Sequence, residues 1–178
     1  MNNELIKEAL IYDVSSDLHE IWRATRKLAD GSYNPRYKKS KDEEWNIKYG
    51  TDEVDIANLP FKELPFNCKY DYLEEAEVVI NLVFDKTMSD DKFSPKDIED
   101  METIIHNEWL KRNDWVFDKE YGNPTLAVPY NQLPEDEQLK DKAQIGPALA
   151  KIEDYKKGLV DIDSICSQYN ITAGKFIR

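Results

Sequence analysis

The two histidines, His19 and His106, are the residues whose type and surroundings point most clearly to chemistry. Each follows an apolar residue and precedes a tryptophan by three positions, Trp22 in one case and Trp109 in the other. An imidazole can transfer protons, bind a ligand or donate an N–H to a backbone group. One hypothesis is therefore a paired ligand site of two imidazoles and two indoles. The favoured hypothesis is structural: each ring fixes a neighbouring segment beside an apolar helical stripe, with both tryptophans in the core.

Other catalytic and metal-binding chemistry has little support in the sequence. Cys68 and Cys166 give no zinc spacing with the histidines and no argument for a disulfide. The segment from Asp85 begins like an EF-hand loop, but its sixth position is Asp90 instead of Gly and its twelfth is Lys96 instead of Glu. Neither a Gly-x-Ser-x-Gly motif nor a glycine cluster is present. We expect no catalytic residue, metal or cofactor, and leave open only a pair of converging carboxylates.

A proline-rich segment follows each His-x-x-Trp helix. Leu59 to Pro65 (Leu-Pro-Phe-Lys-Glu-Leu-Pro) and Val128 to Pro134 (Val-Pro-Tyr-Asn-Gln-Leu-Pro) agree nearly position for position, and we call them the proline arms. Each proline fixes φ and removes a backbone donor, so an arm is extended or turned and the next helix begins at its second proline. The residues expected to hold each arm against its helix are His19, Trp22, Pro60, Phe61 and Pro65 in the first case, and His106, Trp109, Pro129, Leu133, Pro134 and Asp141 in the second.

The repeated order of helix and proline arm indicates a tandem duplication. The predicted fold class is α+β, predominantly α, in one domain of residues 1–178 with pseudo-twofold symmetry. Each half has two main helices joined by a short β-containing, proline-rich segment. The predicted parts are copy one at about 14–84, a linker at about 85–94, copy two at about 95–157, and a C-terminal extension at 158–178.

Apolar periodicity and capping residues predict the individual elements. A short leading helix is expected to end near Asp13, with a new helix capped by Ser16 or Asp17. The alternation in residues 44–49 predicts a strand within an insertion, residues 31–55, that copy two lacks. Further predictions are a helix over 72–84, a helix capped by Ser94 before Pro95, a break at Gly146-Pro147, and a last short helix capped by Asp161 or Asp163.

These motifs resemble the ryanodine-receptor repeat (RyR) domain. That family has a His-Glu-x-Trp helix, an Arg, a Gly-Trp-x-Tyr-Gly-Pro turn, a His-Pro-x-Leu-Val-Pro-Tyr-x-x-Leu-Pro segment and an Asp-Arg opening the next helix. Copy one resembles it through His19, Glu20, Trp22, Arg26, Gly31, Tyr33, Pro35, Pro60, Phe61, Leu64, Pro65 and Asp71. Copy two resembles it through His106, Trp109, Arg112, Trp115, Phe117, Pro124, Val128, Pro129, Tyr130, Leu133, Pro134 and Asp141.

The chain also departs from the family pattern. Copy one lacks the turn Trp, and copy two has Asp114 in place of the turn Gly and Asn123 in place of the His before Pro. The Arg of Asp-Arg is Tyr72 in copy one and Lys142 in copy two. Copy two has one residue more between Pro124 and Pro129 than the family. The resemblance covers roughly residues 14–157 and implies the same pseudo-twofold arrangement of two copies.

An Arg after each Trp helix, together with nearby tyrosines, suits a planar anionic ligand such as a nucleotide. The candidate ligand-binding residues are Arg26, Tyr33, Arg112, Tyr121 and Tyr130. The alternative, which we favour for the arginines, is an internal ion pair with an acidic residue such as Asp71 or Asp141. The leading function is a non-enzymatic module that binds a small, nucleotide-derived ligand or a partner protein. The alternatives are a purely structural protein-interaction domain and a carboxylate-dependent hydrolase.

Charge and hydropathy limit the surroundings in which such a module would work. The net charge of -12 opposes binding to nucleic acid polymers and to anionic membranes. The first eight residues lack the pattern of a signal peptide, and no apolar stretch approaches the roughly 20 residues that span a bilayer. We therefore expect a folded cytoplasmic protein. The sequence makes no prediction of its oligomeric state.

Overall fold

The computed structural model describes residues 2–172 and is predominantly helical, which confirms the α-rich α+β class. The helices are α1 (Asn3–Ala24), α2 (Glu43–Tyr49), α3 (Phe66–Met88), α4 (Pro95–Arg112), α5 (Glu135–Lys142), α6 (Ile145–Lys156) and α7 (Ile162–Tyr169). Short 3₁₀ helices lie at Phe61–Glu63, Asp114–Phe117 and Tyr130–Gln132, and the strands are β1 (Tyr37–Lys39) and β2 (Glu53–Asp55).

Two compact units divide the described residues. The first unit comprises the chain up to Ala76 together with the segment from Asp161 onward, and the second comprises Glu77–Val160. The core of the first unit includes Leu10, Val14, Val54, Phe61 and Leu64. The core of the second unit includes Ile80, Val83, Phe84, Ile105, Val116 and Ile152. Within residues 2–172, no helix combines the length and the apolar character needed to cross a membrane.

Helix α1 is continuous where the sequence predicted two helices. The predicted cap at Ser16 or Asp17 is wrong, because the helix begins after Asn2, whose side chain accepts a hydrogen bond from the Glu4 amide. Ser15 is fully buried in its middle, with its hydroxyl 2.7 Å from the carbonyl oxygen of Ile11. A serine bonded to the carbonyl four residues earlier is compatible with a helix interior, so burial outweighs the local capping signal.

The segment predicted as a strand, residues 44–49, is helix α2. Asp42 caps it by accepting a hydrogen bond from the Trp45 amide at 3.0 Å, and Gly50 ends it with φ of 69°. The buried Trp45 indole donates to the Glu63 carbonyl at 2.9 Å. The cap at Asp42 and the stop at Gly50 therefore favour a helix more strongly than the apolar alternation favours a strand.

The β structure lies within the insertion at 31–55, where β1 and β2 pair antiparallel with Lys38 opposite Val54. Residues 77–160, all of which are described, contain no strand. The prediction of a β-containing segment in each half is therefore wrong for the second copy. Its connection between α4 and α5 consists of 3₁₀ turns and extended proline residues instead.

The connections in the second unit largely follow the sequence predictions. Helix α3 continues to Met88, so the predicted linker at 85–94 is shorter than expected. Ser94 and Asp97 form a capping box at the start of α4, and Lys86 with Ser94 holds the pKa of Asp97 well below its usual range. Helix α5 starts directly after Pro134, and α6 starts at the predicted break near Pro147.

The last helix, α7, packs against α1 of the first unit. Asp161 caps it by accepting a hydrogen bond from the Ser164 amide at 3.1 Å, as predicted. The ring of Tyr169 lies 4.9 Å from that of Tyr12 and 6.1 Å from that of Phe61. The predicted C-terminal extension therefore contributes a packed helix, and its residues after 172 lie outside the described part of the chain.

Candidate functional site

His19 connects α1 to the first proline arm. Its Nε2–H donates to the Leu59 carbonyl at 2.9 Å, and the side chain is completely buried. The ring lies 5.8 Å from the ring of Trp22 and 4.9 Å from the edge-on ring of Tyr72. Burial lowers the pKa of His19, and its Nδ1 has no hydrogen-bond partner among the described residues. We call this contact the first histidine clamp.

His106 makes the corresponding contact in the second unit. Its Nε2–H donates to the Val128 carbonyl at 2.8 Å, and the side chain is 2% exposed. The ring lies 6.1 Å from Trp109 and 6.3 Å from Tyr130. This is the second histidine clamp. The predicted contact between a histidine nitrogen and a backbone group is confirmed in both units.

The two proline arms have the same local conformation. Pro60 and Pro129 have φ and ψ of -68°, 155° and -56°, 150°, and each precedes a 3₁₀ turn. Leu64 and Leu133 then return to extended geometry, with φ and ψ of -63°, 146° and -62°, 147°. The aromatic residue after each first proline, Phe61 or Tyr130, is buried. Each clamp therefore fixes a proline-stiffened turn against a helix.

The predicted core positions of Trp22 and Trp109 are wrong, since both indoles are only half-buried. The histidines occupy the buried positions, and each indole covers one face of its histidine ring. An imidazole with a carbonyl partner can be fully buried at low cost, whereas an indole N–H without one is better left near water. The histidines are thus more buried than the tryptophans, which is the reverse of what hydropathy suggests.

A buried polar network surrounds the second clamp. The Tyr130 hydroxyl donates to Glu102 at 2.9 Å, and His106 Nδ1 lies 3.4 Å from the Asp141 carboxylate. Burial raises the pKa of Asp141 to about 6, against the opposing effect of His106. The Lys142 ammonium lies 3.7 Å from the second oxygen of Glu102. Glu102, His106 and Asp141, each less than a tenth exposed, thus meet beneath the second arm, beside the buried Tyr130.

The first clamp has a different set of neighbours. Tyr72 lies seven residues after Pro65, as Asp141 lies seven residues after Pro134, so Tyr72 replaces the buried acid. Asp71, which sequence comparison matched with Asp141, is exposed and pairs with Lys38 at 2.8 Å. Ser15 and Phe61 similarly stand where the second unit has Glu102 and Tyr130. The match of Asp71 with Asp141 is wrong by one position.

Sequence reasoning missed Glu102 as part of a site. Glu102 precedes His106 by four residues, and residues at that spacing lie on the same face of a helix. That spacing, combined with the buried stripe of Met101 and Ile105, was the available signal. The 36 acidic residues of the chain otherwise gave no basis for selecting it.

Arg26 and Tyr33 are engaged within the first unit. Arg26 donates to the carbonyls of Asn34 and Pro35 at 2.8 and 2.9 Å, and its guanidinium lies 5.4 Å from the centre of Trp22. The Arg23 guanidinium covers the Tyr33 ring at 4.4 Å. Arg26 therefore holds the loop after α1, and the ion pair predicted between it and Asp71 is wrong.

Replacing Arg26 by Ala is expected to loosen this loop without unfolding the protein. Losing two hydrogen bonds from a charged donor should lower the free energy of unfolding by about 1 to 2 kcal/mol, since the site is partly exposed to water. Hydrogen exchange over residues 27–36 should accelerate while α4 is unaffected. Lys27→Ala, an exposed neighbour, is the control. An unchanged exchange pattern in Arg26→Ala would contradict a loop-holding role.

The loop at residues 113–123 of the second unit presents aromatic side chains to solvent, and we call it the contact loop. Trp115, Phe117 and Tyr121 are 49%, 57% and 76% exposed, while Val116 between them is 1% exposed. The loop follows Arg112, the last residue of α4. Large aromatic side chains exposed together in one short segment are typical of a surface that binds a ligand or a partner protein.

The contact loop is held by its own hydrogen bonds. Asp118 accepts from the amides of Glu120 and Tyr121, both at 2.8 Å, and these bonds lower its pKa. The Asn123 amide donates to the Val116 carbonyl at 3.0 Å. A Cβ at Gly122 would lie 2.2 Å from the Asp118 carbonyl oxygen, so only glycine fits there. The aromatic side chains therefore stand on a closely folded turn.

Of the predicted ligand-binding residues, Arg112 and Tyr121 flank or belong to the contact loop, and Tyr130 does not. Tyr130 is 8% exposed, and its hydroxyl is bonded to Glu102, which together with burial raises its pKa. Its ring is part of the core beneath the second arm. Asp141, proposed as an alternative partner for an arginine, lies 3.4 Å from His106 Nδ1.

An open cavity of about 440 Å³ lies elsewhere in the second unit, lined by residues that include Asp90, Asp91, Phe93 and Glu153. Lys156 bonds to two of the lining residues, donating to the Thr87 carbonyl at 2.8 Å and pairing with Asp90. This region contains the sequence that begins like an EF-hand. Among residues 2–172, no group of three or more His, Cys, Asp or Glu is arranged to hold a metal ion.

The fold and contacts thus define a predominantly helical α+β protein with histidine clamps and an exposed aromatic loop. Comparison with models of protein families, with curated proteins and with solved structures finds no match.

Proposed function

We propose that the chain is a non-enzymatic, cytoplasmic binding module related to the ryanodine-receptor repeat, built from two tandem copies. The similar φ and ψ angles of the proline arms support the duplication, as do the matching histidine contacts at 2.9 and 2.8 Å. These contacts lie at the positions that carry the sequence resemblance. In this proposal the clamps maintain the fold, and binding takes place on the loops that the clamps leave exposed.

The contact loop is the proposed binding surface, and its ligand is planar and nucleotide-derived. The observation that carries the proposal is the exposure of Trp115, Phe117 and Tyr121 on a turn held by Asp118 and Gly122. A held turn loses little conformational entropy on binding, and aromatic faces stack on a base at about 1 to 3 kcal/mol each. The adjacent Arg112 brings a cation suited to the anionic part of such a ligand.

Binding can be measured by calorimetry with ATP, NAD, ADP-ribose and cyclic dinucleotides. Trp115→Ala and Tyr121→Ala are expected to weaken the binding of whichever compound binds by about tenfold each, since each removes one stacking face. Both side chains are about half or more exposed, so thermal stability should hardly change. Arg112→Ala should weaken binding of the charged compounds further.

Tyr37→Ala is the matched control, because Tyr37 is 58% exposed and lies on β1 of the first unit. Its affinity should equal that of the unaltered protein. Undiminished binding in Trp115→Ala and Tyr121→Ala would remove the contact loop from the proposal. Failure of every nucleotide to bind would favour a protein partner or a purely structural interaction domain.

The convergence of Glu102 and Asp141 beside His106 supports a second candidate, a carboxylate-dependent hydrolase. Burial raises the pKa of Asp141, and a buried group with a shifted pKa beside other titratable groups is common in active sites. Glu102 and Asp141 are only 7% and 8% exposed, which leaves little access for a substrate, so the hydrolase ranks below the binding module. Hydrolysis of phosphoanhydride or glycosidic bonds that is lost in Asp141→Asn would reverse the ranking.

A further inference from the structure

The two histidine clamps have the same hydrogen bond to the arm, but the second ring nitrogen has an acidic neighbour only in the second clamp. In the first clamp, His19 Nδ1 is buried without a hydrogen-bond partner among the described residues, and the edge of Tyr72 faces the ring. In the second clamp, the same nitrogen of His106 lies 3.4 Å from the Asp141 carboxylate. A proton at His19 would create a buried charge without an acceptor, which is costly. A proton shared by His106 and Asp141 would instead reduce the net negative charge of an acidic cluster.

We propose that acidification between pH 7.5 and pH 5 acts on the two units in opposite directions, weakening the first histidine clamp and strengthening the second. The proton responsible in the second unit binds to the His106 and Asp141 pair. In the first unit, it binds to His19 only when the clamp opens. The direction of the response to pH in each unit therefore depends on the residue seven positions after the second proline of the arm, which is Tyr72 in the first unit and Asp141 in the second.

The charged neighbours of each clamp support this difference. Around Asp141 the acidic groups outnumber the lysine: the facing groups are Glu102 and His106 on α4, Tyr130 on the arm, and Glu137 and Lys142 on α5. Around His19 the nearby charges are of both signs: Glu20 and Arg23 on α1, with Asp71 and Glu75 beside Tyr72 on α3. Burial, helped by the carboxylates of Glu137 and Glu102, favours protonation of Asp141, whereas burial opposes protonation of His19.

The direction of each effect follows from the folded and unfolded pKa values. Asp141 has its pKa raised from 3.8 to about 6, so its contribution to stability is full below about pH 4 and disappears as the pH rises through 6. His19 has its pKa lowered from 6.5, so its contribution is full above pH 6.5 and decreases as the pH falls. Between pH 7.5 and 5 the two effects oppose each other.

Hydrogen exchange of the full chain, corrected for the intrinsic dependence of exchange on pH, distinguishes the units. From pH 7.5 to 5, protection of α4 and the second arm should rise about tenfold, as expected for a carboxyl pKa near 6. Protection of α1 around His19 and of the first arm should fall several-fold. Changes of the same sign in both units would overturn the proposal.

Asp141→Asn tests the assignment of the proton. The amide does not titrate, so the second unit should lose its tenfold response while the first unit keeps its own. Asp71→Asn is the matched control, because Asp71 is an exposed acid paired with Lys38, and it should leave both responses unchanged. A second unit that still responds in Asp141→Asn would overturn the proposal.

An NMR titration of the unaltered protein tests the same assignment if Asp141→Asn fails to fold. The chain has two histidines, so ring signals in an NMR titration of the unaltered protein can be assigned separately. The Asp141 carboxyl signal should shift near pH 6, well above the range of an ordinary aspartate. The His19 signals should not shift until the pH is well below 6.5. An Asp141 carboxyl signal that shifts only near pH 4, or His19 ring signals that shift above pH 6.5, would overturn the proposal.

Discussion

Replacing His19 by Ala is expected to lower the free energy of unfolding by about 3 to 5 kcal/mol, the range for deleting a large buried side chain. The ring is completely buried, and its neighbours are the rings of Trp22, Phe61 and Tyr72. Its loss would leave a cavity and also deprive the Leu59 carbonyl of its donor. A domain of this size has a total stability of only about 5 to 15 kcal/mol, so the variant should be near unfolding at 37 °C.

Urea unfolding followed by circular dichroism measures this loss. Ile21→Ala, on the same helix but 47% exposed, is the control and should cost at most about 1 kcal/mol. His19→Gln places an amide donor near the position of Nε2 and should recover part of the loss. A loss below 1 kcal/mol in His19→Ala would mean that the proline arm holds its position without the histidine.

The contacts of the two histidines with the proline arms could be predicted because the residues that signal them occur in the same order twice in the sequence. An apolar residue, a His and a Trp, followed by two prolines at a spacing of five, are visible in the sequence twice. A proline restricts its own φ whatever its surroundings, so the conformation of Pro60 and Pro129 follows from local sequence. The predicted helix start after Pro134 is confirmed for the same reason.

The partners that sequence reasoning placed wrongly depend on contacts distant in the chain. Arg26 donates to the carbonyls of Asn34 and Pro35 because the following loop turns back on α1, which residue types do not reveal. Likewise, α1 continues through Asp13 because Ser15 becomes buried and bonds to Ile11 within the helix. Local capping preferences are worth about 1 kcal/mol, and burial of a whole helical face exceeds that.

The two histidine clamps share a hydrogen bond but differ in the side chains around it. Each clamp joins a histidine to a proline arm by one hydrogen bond, and three neighbouring positions differ between the two units. Ser15, Phe61 and Tyr72 give the first clamp neutral surroundings, whereas Glu102, Tyr130 and Asp141 give the second an acidic one. A change at these positions should therefore alter the response to pH with little effect on the position of the arm.

Replacing Gly122 by Ala is expected to disrupt the contact loop and reduce ligand binding by more than tenfold. The added Cβ would lie 2.2 Å from the Asp118 carbonyl oxygen and 2.5 Å from the Val116 carbonyl oxygen. Both are backbone atoms, so the turn itself must move, and with it the positions of the exposed aromatic side chains that it carries. We expect the free energy of unfolding to fall by about 1 to 3 kcal/mol, as for other overpacked sites.

Gly146→Ala is the matched control for this variant. A Cβ at Gly146 meets no atom within 4 Å, and the residue lies in the first turn of α6, where alanine favours the helix. Its stability should stay the same or rise by up to about 1 kcal/mol, with unchanged binding. If Gly122→Ala binds the nucleotide as tightly as Gly146→Ala, the geometry of the contact loop does not determine recognition. If instead only Gly122→Ala loses binding while α4 keeps its hydrogen-exchange protection, the effect belongs to the loop and not to the unit that carries it.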